Sequence, residues 1–128
     1  MKAIKTERAP AAIGPYSQGV ISNGMIFVSG QLPLDPATGI LETDPAKAAK
    51  RALQNIESIL ADAGASLADC LKVTIFLTDM THFSAVNTVY ATFFTEPWPA
   101  RATVAVAGLP KGAILEIECI AALPEGRW

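Results

Sequence analysis

Hydrophobic positions along the chain change their period several times, and each change marks an element. Val20, Ile21 and Ser22, then Met25 to Val28, flank Asn23-Gly24, a pair suited to the two positive φ angles of a type I′ turn, so this segment predicts a β-hairpin. Leu32 to Thr43 holds Asp35-Pro36-Ala37-Thr38-Gly39, where Pro presets φ and Gly closes a turn, and is expected to be an exposed, mobile loop. Asp44 before Pro45 is an N-cap with Pro at the first helical position, and Gly64 ends the helix about five turns later. Ala49, Ala52, Leu53, Ile56, Ile59, Leu60 and Ala63 recur between them at helical spacing and give one buried stripe. Leu71 to Thr78 alternates instead, with Leu71, Val73, Ile75 and Leu77 on one face and Lys72, Thr74, Phe76 and Thr78 on the other. Thr81 can cap a second helix with Phe83, Val86, Val89, Tyr90 and Phe93 as its apolar face, ended by Pro97. Ala102 to Ala107 and Ile114 to Ala122 complete the pattern as two strands joined by Gly108-Leu109-Pro110-Lys111-Gly112, read as a closing hairpin.

This order suits an α+β sandwich in which both helices pack on one face of a mainly antiparallel sheet. With 128 residues and no repeat or linker, the pattern implies one domain over residues 1–128. Composition adds a second expectation. The chain is 51% hydrophobic but only 17% charged, below the ~25% typical of soluble domains, so apolar surface is expected to meet a partner subunit, with the Phe76 face as the candidate.

Charge and cysteine usage exclude several function classes. A net charge of −2 does not supply the positive field that nucleic-acid binding uses, so no nucleic-acid partner is expected. Cys70, Cys119 and the single His82 are too few for a zinc site, and no metal or other cofactor is expected. The start, Met1-Lys2-Ala3-Ile4-Lys5, lacks an apolar signal core, and no run approaches a membrane span; the expected location is the cytoplasm. There is no Gly-x-Ser-x-Gly elbow for a serine hydrolase, both cysteines read as buried small hydrophobes, and the 108–112 loop lacks the spacing of a phosphate-binding loop.

The polar residues worth attention are few. Glu116 and Glu118 share a strand face with Ile114 and Ile120, while Leu115, Ile117 and Cys119 point the other way. Arg101, Thr103, Ala105 and Ala107 share a face of the preceding strand. If the two strands form an antiparallel hairpin, positions summing to roughly 221 pair, and Arg101 and Thr103 come within diagonal reach of the glutamates. That spacing fits an ordinary cross-strand ion pair beside a solvated sheet face. It also fits a wall that grips a carboxylate, because Arg101 is the one guanidinium near the stiff, aromatic Pro97-Trp98-Pro99 run and Arg suits bidentate carboxylate binding. Two loops, Ile13 to Gly19 with Tyr16, and Ser29-Gly30-Gln31, could approach the same ligand or be plain turns. Asn87 and His82 read as surface polar positions.

Four segments together resemble the RidA/YjgF family: Ala11-Ala12-Ile13-Gly14-Pro15-Tyr16-Ser17-Gln18-Gly19; Val28-Ser29-Gly30-Gln31; Val86-Asn87-x-x-Tyr90-x-x-Phe93-Phe94; and Pro99-Ala100-Arg101-x-x-Val104 through Leu109-Pro110 to Leu115-Glu116-Ile117-Glu118. The resemblance spans nearly the whole chain. It implies a chorismate-mutase-like α+β fold, a homotrimer with clefts between neighbouring subunits, and hydrolytic deamination of 2-imino acids such as 2-iminobutanoate and 2-iminopropanoate to 2-oxo acids and ammonia. By the same resemblance Arg101 holds the substrate carboxylate, Glu116 orients the attacking water, and Tyr16, Ser29, Gly30 and Thr103 line the cleft. Thr103 stands where many members carry Cys, and the segment between Phe94 and Pro99 is short by a few residues. Two other classes are attached to the family: RNA cleavage or translation inhibition, against which the acidic pI of about 5.3 argues, and a non-catalytic ligand-binding or chaperone-like trimer, against which Arg101 argues.

Overall fold

The computed structural model describes residues 1–124; residues 125–128, the end of the domain expected over 1–128, lie outside the described residues. Six strands, β1 (Lys2–Ile4), β2 (Gly19–Ser22), β3 (Met25–Gln31), β4 (Cys70–Leu77), β5 (Ala100–Ala105) and β6 (Leu115–Ala122), form one sheet in the order β1-β2-β3-β6-β4-β5. Helices α1 (Pro45–Asp62) and α2 (Phe83–Phe93) pack against each other, and α1 also packs on β3 and β6. Ile26, Leu53, Ile56, Ile59, Leu60, Ile75, Leu77, Leu115 and Ile117 are fully buried between the layers. Among the described residues no helix is long and apolar enough to cross a membrane.

The first hairpin forms as its turn chemistry requires, with Asn23 at φ 52° and Gly24 at φ 73°. Asp44 caps α1 by accepting from the Lys47 amide at 3.0 Å, and Gly64, at φ 79°, lets the Ala65 amide reach back to Leu60 at 2.9 Å. In β6 the alternation holds: Leu115, Ile117, Cys119 and Ala121 are buried, while Glu118 faces outward.

Several expectations change. The closing hairpin does not exist. β5 pairs in parallel with β4, Val73 opposite Arg101 and Ile75 opposite Thr103, while β6 inserts between β3 and β4, antiparallel to both. Parallel neighbours need a long crossover, and α2 supplies it, making β4-α2-β5 a βαβ unit. β1 was not foreseen, and β5 begins and ends two residues early at Ala100–Ala105. Leu71 is 48% exposed, because a bulge between Cys70 and Lys72 adds a residue and turns Cys70 inward in its place. The turn before α2 is capped by Asp79, which accepts from the Thr81 amide and hydroxyl, so Thr81 is a donor and not the cap.

The loop from Leu32 to Thr43 is exposed at its tip, Ala37 to Ile40, and at Thr43, and is buried or half-buried elsewhere. Buried Asn55 of α1 donates to the Leu32 and Leu34 carbonyls at 3.2 and 2.9 Å, and Leu34 and Leu41 form a bridge. These bonds anchor the base of the loop to α1.

The sheet face away from the helices carries the Phe27, Ile120 and Lys72 row and the Phe76, Glu116 and Val104 row, since directly opposed residues share a face. Phe27 and Val104 are exposed there at 43% and 40%.

Candidate active site

Two clusters of polar residues result, on different sides of the sheet. The first surrounds Arg101. Because Arg101 and Thr103 are in parallel register with Val73 and Ile75, whose side chains are in the core, they share the helix side of edge strand β5. There the Arg101 guanidinium donates from Nη1 to Asn87 Oδ1 at 2.7 Å and lies over the Tyr90 and Phe83 rings, with Cζ 4.7 and 5.6 Å from their centroids. A planar cation over two ring faces gains electrostatic attraction, and the amide fixes its rotation about the ring normal. Tyr90 is itself stacked on Phe94 at 4.5 Å. The Thr103 Oγ1 atom is buried without a hydrogen-bond partner among the described residues.

The second cluster is built on β3 and β6. A register shift between Val28 and Gln31 brings Gly30 so close to Glu116 that a Cβ there would lie 2.6 Å from the carboxyl carbon. Only glycine permits this approach without displacing the carboxylate. Burial raises the proton affinity of Glu116 above the ordinary carboxylate range, and the nearby Glu118 charge adds to the effect. Ser29 fastens the neighbouring loop: its hydroxyl donates to Ser17 O at 2.5 Å and its amide to Gln18 O at 2.9 Å. Tyr16, one residue before Ser17, is 55% exposed.

Buried Gln18 holds this loop from the inside, donating to the carbonyls of Thr6, Ala9 and Pro10 and accepting from the Thr6 amide at 2.7 Å. Gln18→Leu leaves these groups unpaired and is expected to destabilise the fold by about 2–4 kcal/mol in urea unfolding. A change under about 0.5 kcal/mol would show the loop to be held otherwise.

The structure therefore joins Tyr16, Ser29, Gly30 and Glu116, and separately Arg101 and Thr103, but does not join Arg101 to Glu116. Glu116 is opposite Phe76 on the open face, Arg101 is on the helix face, and β4 stands between their strands. Two inter-strand steps are about 10 Å. The shared wall expected from a closing hairpin is absent within one chain, and so is the cross-strand ion pair; Arg101 bonds a neutral amide instead. Asn87, read from sequence as a surface position, is the residue that was missed. Phe83, Asn87 and Tyr90 lie at i, i+4 and i+7, one face of α2, and that spacing was the available signal.

Known proteins of similar sequence share this arrangement of elements. The chain is 47% identical to the 2-iminobutanoate/2-iminopropanoate deaminase of Salmonella typhimurium over 123 residues, covering 94% of this chain and 96% of that protein. It is 48% identical to a RutC family protein of Pyrococcus abyssi over 121 residues, covering 94% and 95%. The crystal structure of Escherichia coli TdcF with bound serine superimposes with a TM-score of 0.92 at 46% identity, covering 97% of this chain and 100% of that one. The Escherichia coli YjgF gene product superimposes with a TM-score of 0.91 at 47% identity, covering 95% and 98%. The Endoribonuclease L-PSP family model matches residues 6–123, and with relatives this similar along nearly its whole length the chain belongs to that family, the RidA/YjgF proteins.

Proposed function

We propose that this protein hydrolyses 2-imino acids, 2-iminobutanoate and 2-iminopropanoate among them, to 2-oxo acids and ammonia, at sites shared between neighbouring copies of a homotrimer. One observation carries the reading: a guanidinium oriented by Asn87 and two aromatic rings, with no carboxylate hydrogen-bonded to it among the described residues, is a ready receptor for a planar carboxylate. Glu116 is too far from Arg101 in the same chain to serve one small substrate. A second copy supplies it when its open sheet face, bearing Glu116, Gly30 and Tyr16, covers the Arg101 edge of the first.

In such a cleft Arg101 grips C1 of the substrate and thereby fixes C2 relative to the partner copy's carboxylate. Glu116 takes hold of a water proton as the oxygen adds to the C=N bond, and the carbinolamine collapses with its nitrogen leaving protonated as ammonia. The imine is already electrophilic, so positioning and one polarised water supply much of the acceleration. Thr103, with its unpartnered hydroxyl, borders the substrate beside Arg101, while Tyr16, Ser29 and the Gly30 backbone close the other side. The proposed setting is the cytoplasm, a reducing compartment in which Cys70 and Cys119 start as thiols.

A coupled assay tests the reaction: a dehydratase generates the imine, and its disappearance is expected to be much faster with this protein than without. An unchanged decay rate would refute the deaminase reading, and cleavage of single-stranded RNA by the same preparation would favour the nuclease name that the family carries. Light scattering is expected to return three times the 13.5 kDa chain mass. A monomer at micromolar concentration would remove the shared site.

A further inference from the structure

Beneath the platform that carries Arg101, the core holds three groups that the proposed reaction does not use: the thiols of Cys70 and Cys119 and the hydroxyl of Tyr90. Cys70 stands opposite Ala121 and Val73 opposite Cys119, so the cysteines are diagonal neighbours on β4 and β6, both turned to the buried side. Tyr90 is 4% exposed, and its hydroxyl has no partner among the described residues, an expensive condition for a buried donor. Both thiols are near enough to oppose ionisation of that hydroxyl, which burial and these neighbours push up to about 12. Cys70, moreover, lines a cavity of about 140 Å³ with Leu67, Phe93, Phe94 and Pro99, bordered by exposed Thr95 and Glu96.

We infer that Cys70 and Cys119 form a peroxide-reactive dithiol, with Cys70 the attacked thiol at the cavity and Cys119 the resolving thiol behind it. A water occupies about 30 Å³ of liquid, so the cavity admits hydrogen peroxide but excludes a bulky thiol such as glutathione. In the first step the Cys70 sulfur bonds one peroxide oxygen, the O–O bond breaks, and hydroxide leaves to become water; sulfur loses two electrons and peroxide gains them. In the second the Cys119 sulfur attacks the Cys70 sulfur, the S–O bond breaks, and the hydroxide takes the Cys119 proton as a second water. Two thiols and one peroxide thus give one disulfide and two waters.

The division of roles follows from placement. Cys70 borders the cavity and Cys119 does not, so peroxide entering there meets Cys70 first. Diagonal cross-strand Cα atoms are about 7 Å apart, slightly beyond the usual disulfide span. The bulge between Cys70 and Lys72 supplies the slack, since the ladder is interrupted beside the residue that must move.

The test treats the folded full chain with hydrogen peroxide and maps its peptides by mass. The expected product is a cross-linked pair of peptides bearing Cys70 and Cys119, lighter by two hydrogens and restored by a thiol reductant. Cys119→Ala is expected to stop at a Cys70 sulfenic acid that dimedone traps, and Cys70→Ala to leave Cys119 unreacted, each verified as folded by circular dichroism. The wild-type map needs neither variant. Both thiols remaining free until the protein is unfolded, or Cys70 oxidised to sulfinic acid with Cys119 still reduced, would overturn the inference.

Discussion

Arg101→Lys is expected to lower kcat/KM for a 2-imino acid by roughly 10- to 150-fold while leaving the fold and the assembly intact, which corresponds to losing about 1.5–3 kcal/mol of charge-assisted hydrogen bonding. Charge alone does not rescue the site. The guanidinium is held by an Asn87 bond of 2.7 Å and by ring contacts at 4.7 and 5.6 Å, and an ammonium can neither stack on Tyr90 nor present two parallel donors to a carboxylate. Arg101→Ala is expected to lose more. A 2-oxo acid is expected to raise the Tm of the wild type by mass action and to leave that of Arg101→Ala unchanged. Wild-type turnover in the alanine variant, or its failure to fold, would make Arg101 a structural residue.

The parts of the fold legible in the sequence were those specified by short-range chemistry. Asn23-Gly24, Asp44-Pro45 and Gly64 each demand a local backbone geometry, and each adopts it. The placement of β5 was different in kind. Ala102 to Ala107 has almost no amphipathic contrast, because an edge strand with both faces largely exposed needs none, so the pattern could not say which neighbour it joins. Taking the 108–112 loop as a hairpin put Arg101 beside Glu116; the α2 crossover puts β4 between them. The candidate residues could be picked out by type, but their grouping in space could not. Arg101 and Thr103 lie on one side of the sheet and Tyr16, Ser29, Gly30 and Glu116 form a separate cluster, and in the proposed function a second copy brings the two to one ligand. The partnership of Asn87 with Arg101 depends on how α2 lies across β5, which no spacing within either segment states.

Glu116→Gln is expected to cut turnover by on the order of 10²- to 10⁴-fold in a folded protein, because the amide preserves shape but cannot accept a proton from the attacking water. The pH dependence carries a sign that checks the assignment. The carboxylate is the working form, and burial together with Glu118 raises its proton affinity, so kcat/KM is expected to fall on acidification at a higher pH than for an ordinary carboxyl group. Glu118→Gln removes the neighbouring negative charge and is expected to retain most activity while moving that acid limb to lower pH. Equal losses in Glu116→Gln and Glu118→Gln would remove the reason for naming Glu116 alone. A site split between copies has one further consequence. Arg101→Ala and Glu116→Gln chains, each nearly inactive, are expected to recover about a quarter of wild-type activity when unfolded and refolded together in equal amounts, since a random trimer pairs an intact Arg101 with a neighbour's intact Glu116 at that frequency. No recovery from a mixture shown to contain hybrid trimers would mean that Arg101 and Glu116 do not serve one site from two chains.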